Sequence, residues 1–148
     1  MTLVEVVVVA VIIAILAAVA VPHYASAVSN QRVAAAAVRI VADLALARRE
    51  AERTSTSRRV SFDLAANSYS LPGVADLDRP GSDYEVRLGD EPYRGAIISA
   101  DFGGDTDLIY DGYGRPDSGG SVVIAVGRRK QAVNVNGDTG VPTVDAAR

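Results

Sequence analysis

Apolar and polar positions along this chain follow three rhythms, and each predicts a different element. From Leu3 to Val21 every residue is Ala, Val, Ile or Leu except Glu5. As a helix rising about 1.5 Å per residue, that unbroken run spans roughly 28 Å, close to the hydrocarbon thickness of a bilayer. Further on, Val33, Ala37, Ile40, Leu44, Ala47 and Ala51 recur at alternating spacings of four and three. Such spacing places them along one face of a second helical stretch, and that face needs a surface to lie on. The segment Ile40 to Ala51 is expected to pack on a sheet of its own domain. The alanine-rich segment Val33 to Ala37 is a candidate for contact with a neighbouring chain, since small side chains permit close helix approach. The helical signal ends in the polar run Arg53-Thr54-Ser55-Thr56-Ser57.

From Arg58 the texture changes to short β-type runs separated by Gly, Pro, Asn and Asp: 58–63, 68–71, 84–88, 96–99, 108–110, 121–126 and 131–135. They predict an antiparallel sheet, with hairpin turns at Gly127-Arg128-Arg129-Lys130 and at Asn136-Gly137-Asp138. Pro22 lacks the amide hydrogen of the helical ladder and disfavours helical geometry at Val21, so a kink or local melting is expected there. The fold class is therefore α+β: a long N-terminal helix, kinked near Pro22, whose second half packs on a small antiparallel β-sheet head. One domain is expected, with a transmembrane or filament-core helix over 1–24, an amphipathic stem helix over 25–53 and a β-rich head over 54–148.

Composition changes this picture mainly by exclusion. With no cysteine among 148 residues, disulfides, thiolate metal sites and catalytic thiols are all impossible. A single histidine, His23, removes most catalytic dyads and zinc sites and reads as an interfacial residue beside Tyr24. No Ser-His-Asp set, P-loop or dinucleotide fingerprint is present, so an enzyme has no constellation to stand on. The formal charge of −3 hides an asymmetry, because the stem is basic and the head acidic.

Glu5 is the anomaly. An unpaired carboxylate in hydrocarbon costs roughly 2 to 4 kcal/mol, so its pKa must rise or it must find a cation. A secretory signal is a poor alternative, because nothing basic precedes Arg32. The missing basic flank suggests that a leader is removed in front of Met1, which would leave a free α-amine one helical turn from Glu5.

The run Met1-Thr2-Leu3-Val4-Glu5-Val6, the uniformly apolar helix behind it and Pro22-His23-Tyr24 resemble the mature N-terminus of type IV pilins and type II secretion pseudopilins. Met1 stands where that family usually has phenylalanine. The order of parts, from Leu46-Ala47-Arg48-Arg49-Glu50-Ala51 through Val60-Ser61-Phe62 to Gly119-Gly120-Ser121-Val122-Val123-Ile124 and Asn134 to Gly140, resembles the GspH and FimT type of pilin-like protein. The resemblance implies cleavage by a prepilin peptidase, N-methylation at Met1, and Glu5 paired with the N-terminus of a neighbouring subunit. It also implies a helix break at Pro22. Implied partners are further copies of the chain, other pilins, an assembly ATPase and a platform protein. The implied location is the bacterial inner membrane, then an extracellular or periplasm-spanning filament.

Two other clusters are candidates for chemistry. Asp101, Asp105 and Asp107 lie in a Gly-rich stretch that could offer oxygens to calcium, although the spacing is not that of an EF-hand and a solvated acidic loop is the plainer reading. No other cofactor is expected. Arg48 and Arg49 at the stem end, with Arg128, Arg129 and Lys130 at a hairpin, could meet DNA phosphates, but few aromatics interleave with them to stack on bases. Pairing with the acidic head is the plainer reading. The expected function is a structural filament subunit polymerised through its N-terminal helix. The alternative is a minor pilin or pseudopilin that initiates or caps the filament and binds DNA or a surface through its head.

Overall fold

The computed structural model describes residues 2–145, and the side chains of all but 19–23 among them. One helix dominates it. Helix α1 (Leu3–Thr54) runs for 52 residues, about 78 Å at 1.5 Å per residue. Thr2 caps its start. At its end Ser55 adopts left-handed geometry, with its N–H turned back to the carbonyls of Ala51 and Glu52. The expected break at Pro22 is not a gap, since α1 is continuous through position 22; the Pro22 side chain lies outside the described residues. Long helical segments on both sides sustain the ladder across one missing donor.

Eight strands follow: β1 (Arg58–Asp63), β2 (Ser68–Ala75), β3 (Asp83–Arg87), β4 (Ala96–Phe102), β5 (Asp107–Tyr110), β6 (Gly120–Val126), β7 (Arg129–Val135) and β8 (Pro142–Val144). They form two four-stranded sheets rather than one, in the orders β3-β2-β1-β5 and β4-β6-β7-β8. Every pairing is antiparallel. Strand β8 has no counterpart in the expected runs, because three residues beginning with proline give no alternation to read; that composition suits an edge. The turn between β6 and β7 is tighter than expected. Val126 pairs with Arg129, so only Gly127 and Arg128 form the turn, and Gly127 supplies the positive φ of 59° that a two-residue hairpin requires.

The helix lies across both sheets, touching β1, β5, β6, β7 and β8. Its buried face is Val33, Ala36, Ala37, Ile40, Leu44, Ala47 and Ala51, the set that the four-and-three spacing picks out, with Ala36 added. This corrects the expectation for the first turns of the stem: Val33 and Ala37 are buried in their own domain, and only Ala34, Ala35 and Val38 beside them face outward. Phe62 of β1 stacks on Phe102 of β4 with centroids 5.5 Å apart, which ties the two sheets together beneath the helix. Gly112 shows how closely the chain is drawn to the helix end, since a Cβ there would stand 2.8 Å from the backbone of Ser55.

Candidate functional site

The functional surface begins with the unburied half of α1. Eleven large apolar side chains from Leu3 to Leu16 are each 48% to 81% exposed. They surround the helix on every side, and a helix that is apolar all round belongs in lipid or among other helices. Described side chains carry this surface unbroken from Leu3 to Ala18. Among the described residues, no helix is long and apolar enough to cross a membrane, and residues 19–23, the remainder of the expected span, fall outside those side chains.

Met1 lies outside the described residues, as does the side chain of His23. Glu5 has a local role that went unread in the sequence. Thr2 Oγ1 accepts the Glu5 amide at 3.3 Å, and the Glu5 carboxylate accepts the Thr2 amide at 3.4 Å. This reciprocal box satisfies two donors at the helix start, where the dipole also favours a negative charge. The Thr-x-x-Glu spacing ahead of an apolar run was the available signal.

At the other end of the stem, a buried polar cluster joins helix to head. Asp43 is 5% exposed and lies on the apolar face between Ile40 and Leu44. Its Oδ2 accepts from the Tyr69 hydroxyl at 2.6 Å and from Arg39 Nε at 3.0 Å, and the Tyr84 hydroxyl donates to it at 3.0 Å. Arg39 in turn donates to the Tyr84 oxygen. Burial, reinforced by the neighbouring Asp43 carboxylate, pushes the Tyr69 phenol far above its ordinary range, and burial likewise raises Tyr84. The hydrogen bond to Tyr84, followed by the attraction of Asp43, raises Arg39. Both phenols therefore remain neutral donors to a carboxylate, and four side chains fasten α1 to β2 and β3. The Asp43 carboxylate is taken up by three donors, and the cluster ties helix to head. An acid inside an otherwise apolar face was the sequence signal for it.

The predicted acidic loop does not gather into one site. Asp107 is turned to Arg59 at 3.0 Å and Ser61 at 2.5 Å. Asp101 accepts the Gly104 amide at 2.8 Å, and Asp105 accepts the Thr106 amide at 2.6 Å. Among the described residues, no group of three or more His, Cys, Asp or Glu is placed to hold a metal. The two basic clusters also differ from each other. Arg48 pairs with Glu52 at 3.1 Å, and next to the exposed Arg49, Arg53 pairs with Glu50 at 2.6 Å. Arg128, Arg129 and Lys130 are all exposed at the β6–β7 hairpin, far along the sheet from the stem end.

A long helix with a bare apolar first half and a second half sunk into a β head defines a pilin-type subunit. The model of the family described as Type II transport protein GspH matches residues 36–139, and the chain belongs to that family. Among solved structures, the chain is similar to the minor pseudopilin EpsH from the Type 2 Secretion System of Vibrio cholerae. The TM-score is 0.57 at 13% identity, covering 78% of this chain and 97% of that one. At this identity the likeness establishes the fold. No curated protein matches the sequence.

Proposed function

We propose that the protein is a structural subunit of a pseudopilus, held by its N-terminal helix in the inner membrane and then packed by that helix against neighbouring subunits in a filament. The observation that carries this reading is the contrast along α1: one continuous helix is apolar on all sides from Leu3 to Ala18 and buried on one face from Val33 to Ala51. Lipid and a bundle of like helices are the two environments that cover such a surface without stranding backbone polar groups. Moving from one to the other loses little apolar burial, so a subunit can exchange between them. A prepilin peptidase, an assembly ATPase and a platform protein are the partners this function requires. In the assembled state, Glu5 would trade its capping role for a cation of the neighbouring subunit, the α-amine in the family's pattern.

A second reading, a minor subunit that initiates or caps the filament, is supported by the family matched and by the minor pseudopilin whose fold is shared. One experiment addresses both. The chain contains no cysteine, so single cysteines at Val7, Val11 and Ala14 of the full-length protein report contacts without background. Oxidative cross-linking in cells with the secretion machinery is expected to give adducts through these positions. One thiol joins only one other, so each variant reports dimers: homodimers of the chain indicate a filament body, whereas adducts confined to other pilins given a matching cysteine indicate a minor position. Monomer alone at all three sites would sink the filament reading.

A further inference from the structure

The β6–β7 hairpin tip is a strongly charged surface that neither the fold nor the proposed assembly uses. Arg128, Arg129 and Lys130 are exposed, and among the described residues none of them belongs to an ion pair. The tip does not point away from the molecule. A Cβ on Gly127 would stand 3.6 Å from Ser29 Oγ, and Arg128 and Arg129 share a cleft of about 150 Å³ with Ala25, Ser26 and Ser29. The hairpin therefore reaches the first turns of the stem, just beyond the apolar run. Counted along the helix, Ser26 and Ser29 stand five and eight residues past Val21, about 7 and 12 Å at 1.5 Å per residue. The polar headgroup layer of a bilayer occupies roughly the first 5 to 8 Å above the hydrocarbon, so Ser26 stands at its outer edge and Ser29 just above it, a gap that a long arginine or lysine side chain spans. Tyr24, 74% exposed at the foot of the same segment, has the amphipathic ring typical of this boundary.

We propose that the hairpin tip is a docking surface for anionic lipid headgroups, with Arg128, Arg129 and Lys130 lying on the phosphate layer while α1 is parked in the membrane. The inference rests on the membrane stage of the proposed function. Two acids flank the patch and leave it net positive: Glu91, one turn up the stem, is held by Arg32 at 3.7 Å and by Arg94 at 2.5 Å, and Asp145 lies beside Gln131 and Ala132 on β7. The cleft brings two guanidinium forks together, and such forks match phosphate oxygens bidentately; the Ser29 hydroxyl is turned to the Ala25 carbonyl at 3.0 Å. With the tip on the headgroups, the head is pinned at one height and in one rotation about its helix. The same contact has to be broken when the subunit leaves the bilayer.

The test uses the full-length chain purified in a zwitterionic detergent, with phosphatidylglycerol or phosphatidylcholine added, and native mass spectrometry to count retained lipids. Each cation near an anionic surface contributes roughly fivefold, so three together are expected to favour phosphatidylglycerol by up to about a hundredfold at low salt. R128Q/R129Q/K130Q is expected to abolish that preference with an unchanged circular dichroism spectrum, and R128K/R129K to keep the share due to charge while losing the share due to the bidentate forks. Equal retention of the two lipids by the wild type, or an undiminished preference in the triple variant, would overturn the proposal. Tighter binding to a DNA duplex than to phosphatidylglycerol, lost in the same variant, would also overturn it and assign the patch to nucleic acid. Membrane fractionation separates the two levels of the argument. A wild-type chain absent from membranes defeats the proposed function itself, whereas membrane-bound protein with no hairpin-dependent preference defeats only this inference.

Discussion

The two halves of α1 are made of nearly the same residues and have opposite fates. Between Leu3 and Ala18 valine, isoleucine, leucine and alanine surround the axis and stay exposed; between Val33 and Ala51 the same types occupy one face and disappear into the head. What differs is the polar residues between them. Arg39, Arg49, Glu52 and Arg53 give the second half a wet side and so a direction in which to pack. The first half has only Glu5, at its very start. A helix with no wet side has no preferred neighbour within its own domain, and that leaves it available to lipid or to copies of itself.

Matched substitutions break this contrast most sharply. Leu44→Ala empties a site that is 1% exposed and is expected to destabilise the head by about 3 to 4 kcal/mol. Leu16→Ala, on a side chain 64% exposed, is expected to change it by less than about 0.5 kcal/mol. Denaturant unfolding of the two variants in detergent provides the comparison, and similar losses would show that the first half packs on the head after all.

Next in size is Asp43→Ala. It strands the Tyr69 hydroxyl and releases Tyr84 and Arg39, at an expected cost of about 2 to 3 kcal/mol. Because β2 and β3 are fastened to α1 through these side chains, their amides should lose hydrogen-exchange protection before those of β6 and β7. Uniform loss across both sheets would mean that the cluster is not a local fastening.

A smaller effect concerns alkali. Burial pushes Tyr110 up to about 12, from an ordinary phenol value near 10, and its hydroxyl donates to the Gly140 carbonyl at 3.2 Å. A folded-state value above the unfolded one gives stability that is complete below about pH 10 and is lost as pH rises towards 12. Tyr110→Phe is expected to cost about 1 kcal/mol at neutral pH and to flatten that alkaline decline. A decline of unchanged steepness would assign it to Tyr69 and Tyr84 instead.

The smallest change in head stability, none that denaturation would detect, is expected for Glu5→Ala. Its effect belongs to assembly: the precursor should remain in the membrane while filament yield falls. Glu5→Gln, which keeps a capping acceptor but no charge, separates the two roles of this residue. Normal yield from the glutamine variant would assign Glu5 to helix capping rather than to pairing between subunits.

Much of this architecture was legible because burial imposes a period. The four-and-three spacing from Val33 to Ala51 identifies the buried face, and the run Arg58 to Asp63 coincides with β1. Periodicity says nothing about partners distant in sequence, so the division of the strands into two sheets was not readable. The Asp43 cluster was hidden for the same reason, since Tyr69 and Tyr84 reach it from 26 and 41 residues away. In the basic clusters charge alone misled: Arg48 and Arg53 are paired with glutamates on their own helix, whereas among the described residues Arg49 and the hairpin cations belong to no ion pair. The acidic loop divides in the same way, because Asp107 faces Arg59 across the β1–β5 pair while Asp101 and Asp105 satisfy backbone amides of their own turn.

The alanines of the buried stem face have a mechanical consequence. Ala36, Ala37, Ala47 and Ala51, on either side of Ile40 and Leu44, let α1 settle lengthwise against the sheets. A pull on the bare end of the helix then runs parallel to the surface on which the other end is seated. It arrives as shear, which strains the whole seam from Val33 to Ala51 at once, where a peeling force would open it one turn at a time.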